Sequence, residues 1–208
     1  MTTVFVAGTG TDVGKTWVTV RLIAELRARG HAVYARKPAQ SFAPDERGTT
    51  DAELLATATE EPATSVCPAH RWYDTPMAPP MAATVLRRPA FTVGDLAAEL
   101  TSPADGVTFV EGAGGPRSPI ADDGDNVTLA RAIGARFVIL VAESGLGTIN
   151  AVELSVGALS GFETIVMLNR FTGTELHERN RVWLASAGHT IVTSVDELAL
   201  RVEARIPA

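Results

Sequence analysis

The sequence predicts an α/β fold in which a single parallel β-sheet carries helices on both faces. Short apolar runs typical of buried strands alternate along the chain with segments of helical periodicity. The first such run, residues 4–7, breaks at once into a glycine-rich turn. The chain has 208 residues, 46% of them apolar, which is enough for one full hydrophobic core. We therefore expect one domain over residues 1–208.

The composition argues against several classes of function. The formal net charge of −6 predicts no general attraction to nucleic acid or to anionic membranes. No apolar run approaches the ~20 residues that span a membrane, and the N-terminus lacks the pattern of a secretion signal. Cys67 is the only cysteine, so neither an intrachain disulfide nor a cysteine-based metal cluster can form. We expect a cytoplasmic protein without a membrane or nucleic-acid partner.

The first predicted strand leads into a phosphate-binding loop at residues 8–16, GTGTDVGKT. Glycines let the backbone approach a polyphosphate, and the following helix N-terminus offers free N–H groups. In such a loop Lys15 contacts the terminal phosphates and Thr16 ligates Mg²⁺. The general pattern has glycine at position 9, where this chain has Thr9, so the loop is a variant that is one residue longer.

The loop opens a helix predicted over residues 15–29, whose apolar residues suit burial against a sheet and which Gly30 ends. The next strand, residues 31–37, ends before Pro38 because proline cannot continue a central ladder. Lys37 therefore lies at the carboxyl end of a strand, the edge at which open parallel sheets bind ligands. The alternative is a solvated lysine without a functional role.

A polar loop over residues 39–50 precedes a helix predicted over residues 51–59, with Thr49 or Thr50 as its N-cap. Asp51, at the start of this helix, can simply interact favourably with the helix dipole. On the residues alone, that simpler interpretation is preferred to a metal-binding role.

A proline-rich segment follows at residues 61–89, with six of the chain's twelve prolines. Its aromatic residues are too many for a disordered linker, so we predict an ordered excursion over the sheet with a short helix at residues 81–86. Thr92 and Asp95 then form a capping-box pattern that starts a helix running to residue 100.

The next strand, residues 106–110, is followed by Glu111 and by a glycine run at residues 112–115. An acidic residue at a strand end beside a phosphate loop is typical of a second Mg²⁺ contact, and the glycines allow a tight turn around a ligand. Without the phosphate loop, Glu111 would be interpreted as a surface acid.

The second half of the chain continues the alternation. The most apolar strand, residues 136–142, is predicted to be central, and a second glycine-bearing turn follows it at residues 144–150. The other predicted elements are helices at 127–133, 150–159, 175–187 and 195–205 and strands at 164–168, which ends at Asn169, and 189–193. Because the polar and glycine-rich features follow strand ends, we expect one active site at one edge of the sheet.

Five segments together resemble the dethiobiotin synthetase family, in order and at similar spacing. They are GTGTDVGKT at 8–16, Lys37-Pro38 with Ser41, Thr50-Asp51, VEGAGG at 110–115 and GLGTIN at 145–150. The resemblance implies a P-loop NTPase-like fold, ATP and Mg²⁺ as cofactors, and a homodimer with the site at the subunit interface. It also implies that 7,8-diaminononanoate and CO₂ or bicarbonate form the ureido ring of dethiobiotin through a carbamate and a carbamic-phosphoric anhydride.

The same resemblance implies roles for individual residues. Lys15, Lys37 and Thr11 are expected to be catalytic, the lysines by stabilising charge on the phosphoryl group and the carbamate. The expected Mg²⁺ ligands are Thr16, Asp51 and Glu111. The expected substrate contacts are Ser41 and, from the partner subunit, Thr148, Ile149 and Asn150. The expected nucleotide contacts are Asp12, Val13, Gly14, Lys15, Thr16, Glu111, Gly112, Gly114 and Asn169.

An alternative from another functional class is a partitioning or septum-placement switch ATPase, a binding module that cycles between nucleotide states. Such proteins have a signature lysine in the loop pattern K-G-G-x-G-K-T, and this chain has Gly10 at the matching position. This departure favours the ligase. The ligase hypothesis also predicts that Lys37→Ala nearly abolishes ring closure but leaves fold stability intact. The reason is that a lysine at a strand end beside a phosphate site supplies positive charge that stabilises the transition state.

Overall fold

The computed structural model describes residues 1–43 and 48–206, so residues 44–47 of the predicted polar loop lie outside the described chain. The strands are β1 (Thr2–Gly8), β2 (Val33–Arg36), β3 (Gln40–Ser41), β4 (Trp72–Tyr73), β5 (Val107–Glu111), β6 (Pro119–Ala121), β7 (Gly124–Asp125), β8 (Phe137–Glu143), β9 (Thr164–Asn169) and β10 (Thr190–Val192). Six of them form one parallel sheet in the order β10-β9-β8-β1-β5-β2. The predicted parallel α/β architecture is confirmed.

Helices connect these strands. They are α1 (Lys15–Ala28), α2 (Asp51–Thr59), α3 (Ala63–Val66), α4 (Pro79–Val85), α5 (Val93–Glu99), α6 (Asn126–Ala132), α7 (Thr148–Ala158), α8 (Glu175–Ser186) and α9 (Val195–Glu203). Within residues 1–43 and 48–206, no helix combines the length and the apolar character needed to cross a membrane.

Both faces of the sheet are covered by helices. Along β1, Val4 and Val6 pack into the core that includes residues of α1, α2 and α9. The intervening Phe5 and Ala7 pack into the second core, which includes residues of α5, α6, α7 and α8. Successive side chains of a strand point to opposite faces, so a central strand covered on both sides must be apolar throughout. This requirement explains the continuous apolar runs of the sequence.

Most predicted elements are present within two or three residues of their predicted bounds. The strand predicted at residues 136–142 is β8, which lies between β1 and β9 and is therefore central, as predicted. Thr50 caps α2 and Thr92 caps α5, each with a full capping box. The helix predicted from residue 150 instead begins at Thr148, because Gly147 adopts φ 92° and serves as its N-cap.

The structure adds two small sheets that the sequence did not indicate. Strands β3 and β4 form a parallel pair, and β6 and β7 form an antiparallel pair. Strands of two or three residues are too short to show a period of two, which is why they escape sequence analysis. The excursion at residues 61–89 is ordered as predicted and contains α3, β4 and α4.

Candidate active site

The phosphate loop connects β1 to α1 near the middle of the sheet. Gly14 adopts φ 91°, in the left-handed region, and is the N-cap of α1. No described side chain forms a capping hydrogen bond at this end, so N–H groups of the first turn are available to an anion. Lys15 is buried, and its Nζ donates to the Gly10 carbonyl at 3.0 Å. The lysine is thus already folded back over the loop.

Asn169, at the end of β9, supports the phosphate loop. Its side chain is buried, and its Nδ2 donates to the Val13 carbonyl at 2.9 Å. A Cβ added to Gly14 would lie 2.2 Å from this Nδ2, so glycine is required at that position. The contact that the structure provides is therefore with the loop backbone. The expected contact of Asn169 with the nucleotide stays a prediction.

Lys37, Thr16, Asp51 and Glu111 form one cluster of direct contacts. Lys37 Nζ lies 2.7 Å from Asp51 Oδ2 and 2.7 Å from Glu111 Oε1. Thr16 Oγ1 lies 2.7 Å from Asp51 Oδ1 and 2.8 Å from Glu111 Oε1. The side chains of Lys37 and Glu111 are 3% and 0% exposed. The alternative interpretations of a solvated lysine and a surface acid are therefore wrong.

Charges within the cluster shift its pKa values. Burial alone would lower the pKa of Lys37, but the carboxylates of Glu111 and Asp51 more than offset this and hold it above its ordinary value. Burial would raise the pKa of Asp51, whereas the charge of Lys37 and hydrogen bonds from Lys37 and Thr16 bring it below its ordinary value. Burial and the charge of Lys37 lower the pKa of Lys15. At neutral pH Lys37 and Asp51 therefore form an ion pair.

The donor atoms of this cluster fit Mg²⁺. The ion prefers oxygen ligands and is usually held by one or two carboxylates together with substrate phosphates and water. Thr16, Asp51 and Glu111 offer converging oxygens. In the described part of the chain, no group of three or more His, Cys, Asp or Glu side chains is placed to hold a metal ion. The ammonium of Lys37 between the two carboxylates indicates that the position favours a cation.

A cavity of about 650 Å³ opens beside the loop at the carboxyl ends of the strands. This volume is in the usual range for small-molecule sites. The predicted site residues that line it are Thr11, Asp12, Gly14, Lys15, Thr16, Lys37, Ser41, Asp51 and Gly114. The predicted site residues outside its lining are Val13, Glu111, Gly112, Thr148, Ile149, Asn150 and Asn169. The structure thus brings the two lysines, the loop and the half-exposed carboxylate of Asp51 together.

The proline-rich excursion supplies a wall that sequence analysis did not assign to the site. Residues 76–79 line the cavity, and Ser41 Oγ donates to the Met77 carbonyl at 2.6 Å. The only sequence signal was that the segment had the composition of an ordered excursion. Its contact with Ser41 joins residues 36 positions apart, which no local pattern could predict.

Arg170 and Gln40 also line the cavity and were not predicted. Arg170 follows Asn169 directly, adopts φ 57°, and donates to the Asp12 carbonyl at 3.0 Å. Its guanidinium also pairs with Glu143 at the end of β8. The sequence signal for Arg170 was its position directly after a strand end. In the structure this position places a positive charge at the edge of the cavity.

The first residues of α7 and the turn that precedes them lie outside this cavity. Thr148 is buried and its Oγ1 donates to the Glu143 carbonyl at 2.5 Å, whereas Asn150 is exposed. The neighbouring Leu146 is 93% exposed. Binding of substrate by this turn from a partner subunit stays a prediction.

Comparison with known proteins identifies the family. A family model described as an AAA domain matches residues 2–195. An ATP-dependent dethiobiotin synthetase of Caulobacter sp. strain K31 is 40% identical over 164 residues, which cover 76% of this chain and 70% of the relative. One of Haloferax mediterranei is 40% identical over 179 residues, 84% of this chain and 74% of the relative. The chain belongs to the dethiobiotin synthetase family.

Solved structures extend the likeness in fold beyond the dethiobiotin synthetases. A plasmid partition protein of Borrelia burgdorferi matches with a TM-score of 0.61 over 99% of both chains, at 9% identity. The signal recognition particle receptor FtsY of Elizabethkingia anophelis matches with a TM-score of 0.55 over 92% of this chain and 57% of that one, at 16% identity. At these identities the likeness concerns the P-loop NTPase-like fold alone, so it does not favour the switch hypothesis.

Proposed function

We propose that this chain is an ATP- and Mg²⁺-dependent ligase that closes the ureido ring of dethiobiotin from 7,8-diaminononanoate and CO₂. The observation that carries the proposal is the convergence of Lys15 and Lys37 on one cavity that also meets the phosphate loop. A site that binds only a nucleotide needs Lys15, the lysine of the phosphate loop, but not Lys37. A second buried lysine beside small hydroxyl groups, those of Thr11 and Ser41, suits a second, anionic substrate.

The proposed reaction has three steps. One amine of the diamine adds to CO₂ and loses a proton, which gives a carbamate. A carbamate oxygen then attacks the γ-phosphorus of ATP, the bond to the bridging β,γ-oxygen breaks, and ADP leaves. The second amine attacks the carbonyl carbon of the resulting anhydride, the carbon–oxygen bond to phosphate breaks, and a proton is lost. The products are the cyclic urea, ADP and inorganic phosphate.

The residues of the cavity suit these steps electrostatically. Lys15 and the first N–H groups of α1 would stabilise negative charge on the transferring phosphoryl group. Lys37 would stabilise the carbamate and later the anhydride. Thr11 and Ser41 would orient the carboxylated diamine. Since most of phosphoryl-transfer catalysis is positioning and charge stabilisation, no protein nucleophile is needed.

The metal site imposes a condition on Lys37. Mg²⁺ would be held by Thr16, Asp51 and Glu111 and would neutralise charge on the phosphates. A cation held by the same carboxylates competes with the Lys37 ammonium for their oxygens. We therefore expect the bound metal to free Lys37 for the substrate, so that the lysine serves the carbamate only in the loaded site.

We further propose that the active form is a homodimer. The turn with Thr148, Ile149 and Asn150 would bind the carboxylate tail of the diamine held by the partner subunit. In support, Thr148, Ile149 and Asn150 lie outside the cavity of their own chain, and the turn just before them carries the exposed Leu146.

The test measures ATP hydrolysis and ring formation together. Purified protein is incubated with Mg²⁺ and each of several nucleoside triphosphates, with the diamine and bicarbonate supplied singly or together. Released phosphate and cyclic product are quantified. We expect phosphate release only when both substrates are present, in a one-to-one ratio with the ring. Equal phosphate release without the diamine would refute the ligase and favour the switch ATPase.

A further inference from the structure

Gln40 lines the cavity but has no role in the reaction steps proposed above. The residue lies in β3, three positions after Lys37, and its side chain is only 3% exposed. Its Oε1 accepts a hydrogen bond from the Ala52 N–H at 3.0 Å. Because a backbone N–H requires an acceptor, this contact determines which end of the carboxamide is oxygen. The NH₂ group must therefore point the other way.

The NH₂ group of Gln40 has no partner among the described residues, 1–43 and 48–206. An amide nitrogen carries two donors, and a buried donor without an acceptor costs about 1–3 kcal/mol. Such exceptions are rare and often mark functional sites. The only other side chain of this kind in the described chain is Thr108, within β5. Of the two, only Gln40 lines the cavity.

The neighbours of Gln40 restrict the ligand that could satisfy this donor. The cavity that Gln40 lines is also lined by Lys37, Ser41 and Asp51. The free amines of the diamine are protonated at neutral pH and can only donate, as the amide NH₂ does. A carbamate presents oxygen acceptors. Because the carboxylate tail of the diamine is assigned to the partner subunit, the donor matches the substrate only after the amine at this end has been carboxylated.

We propose that Gln40 is a substrate-binding residue whose Nε2 donates a hydrogen bond to a carbamate oxygen of the carboxylated diamine. This inference rests on the proposed function and adds a residue to it. The same carboxamide holds the second residue of α2, next to Asp51. Gln40 thus joins carbamate recognition to the placement of the helix that carries a predicted metal ligand.

The chain offers a direct spectroscopic test, because Gln40 is its only glutamine. Protein labelled with ¹⁵N in the glutamine side chain gives a single NH₂ pair of NMR signals. We expect the pair to shift when diamine and bicarbonate are added together, and to stay in place with diamine alone, bicarbonate alone or Mg²⁺ with a non-hydrolysable ATP analogue. A pair that does not move under turnover conditions, or that moves equally with the nucleotide alone, would overturn the proposal.

Two variants separate the two ends of the amide. Gln40→Glu keeps an acceptor for the Ala52 N–H and removes the donor. We expect its KM for the diamine to rise about 10- to 100-fold, the range for a lost hydrogen bond to a charged group, with the KM for ATP changed less than about threefold. Gln40→Met loses both ends, so it should show the same KM change with a lower melting temperature.

Thr108→Val is the matched control, because it removes the other unpartnered buried group without entering the cavity. It should keep wild-type kinetics. An unchanged diamine KM in Gln40→Glu would contradict the assignment while ring formation by the wild type still supported the ligase. Failure of the wild type to form the ring would remove both proposals.

Discussion

Replacing Lys37 with methionine removes an ammonium from a buried ion pair while keeping most of the side chain's volume. Lys37 and Glu111 are 3% and 0% exposed, so the variant leaves Glu111 as a buried carboxylate without its counter-charge. Removal of one partner from such a pair typically costs about 3–5 kcal/mol. Glu111 retains contacts with the hydroxyls of Thr16 and Thr19, which favours the lower end, about 3 kcal/mol. The pair with the half-exposed Asp51 adds little.

This magnitude corresponds to a fall in melting temperature of about 6–12 °C for a chain of this size. Calorimetry and urea unfolding at pH 7 measure it. The double variant Lys37→Met/Glu111→Gln removes both charges and should recover most of the loss, because the cost comes from the unpaired charge. A single variant that melts within about 2 °C of the wild type would refute the reasoning and support the sequence-based expectation that Lys37 is dispensable for folding.

Two further predictions concern nucleotide binding by the phosphate loop and the loss of folding stability at low pH. Asn169→Ala removes the Nδ2 contact with the Val13 carbonyl, so we expect the Kd of a non-hydrolysable Mg²⁺–nucleotide to rise about tenfold by calorimetry, and an unchanged Kd would contradict the supporting role of Asn169. The lowered pKa of Asp51 contributes stability above its ordinary value of 3.8, and this contribution is lost as the pH falls through the folded-state pKa. Acid unfolding of Asp51→Asn should therefore depend less steeply on pH below about 4 than that of the wild type, and parallel curves would count against the ion pair.

Much of the fold could be predicted from the sequence, because its strands and helices carry strong local patterns. The apolar run of β8 and the capping residues Thr50 and Thr92 are examples, since burial on both faces and cap hydrogen bonds each require particular residue types at particular positions. The two small sheets could not be predicted. Gln40 and Ser41 pair with Trp72 and Tyr73 because the excursion folds back over the loop, and neither segment signals its partner.

The residues of the candidate site also differ in how far the sequence could predict them. Gly14, Lys15 and Thr16 were assigned correctly to a loop that opens a helix, since that geometry is local. Glu111 was interpreted with the help of the loop but was not expected to be fully buried against Lys37. Gln40 had no signal of its own, because an unpartnered amide exists only once the surrounding chain has been folded.

By itself, the sequence determined the alternation of strands and helices and the phosphate loop with its glycine requirement, and its segments indicated the family. Those features depend on residues close together in the chain, where burial and backbone conformation act directly. The tertiary structure decided that Lys37 lies between two carboxylates contributed by α2 and β5, that residues 76–79 wall the cavity, and that one end of Gln40 is left without a partner. Contacts between distant segments depend on how the helices and excursion pack on the sheet, so no local pattern records them.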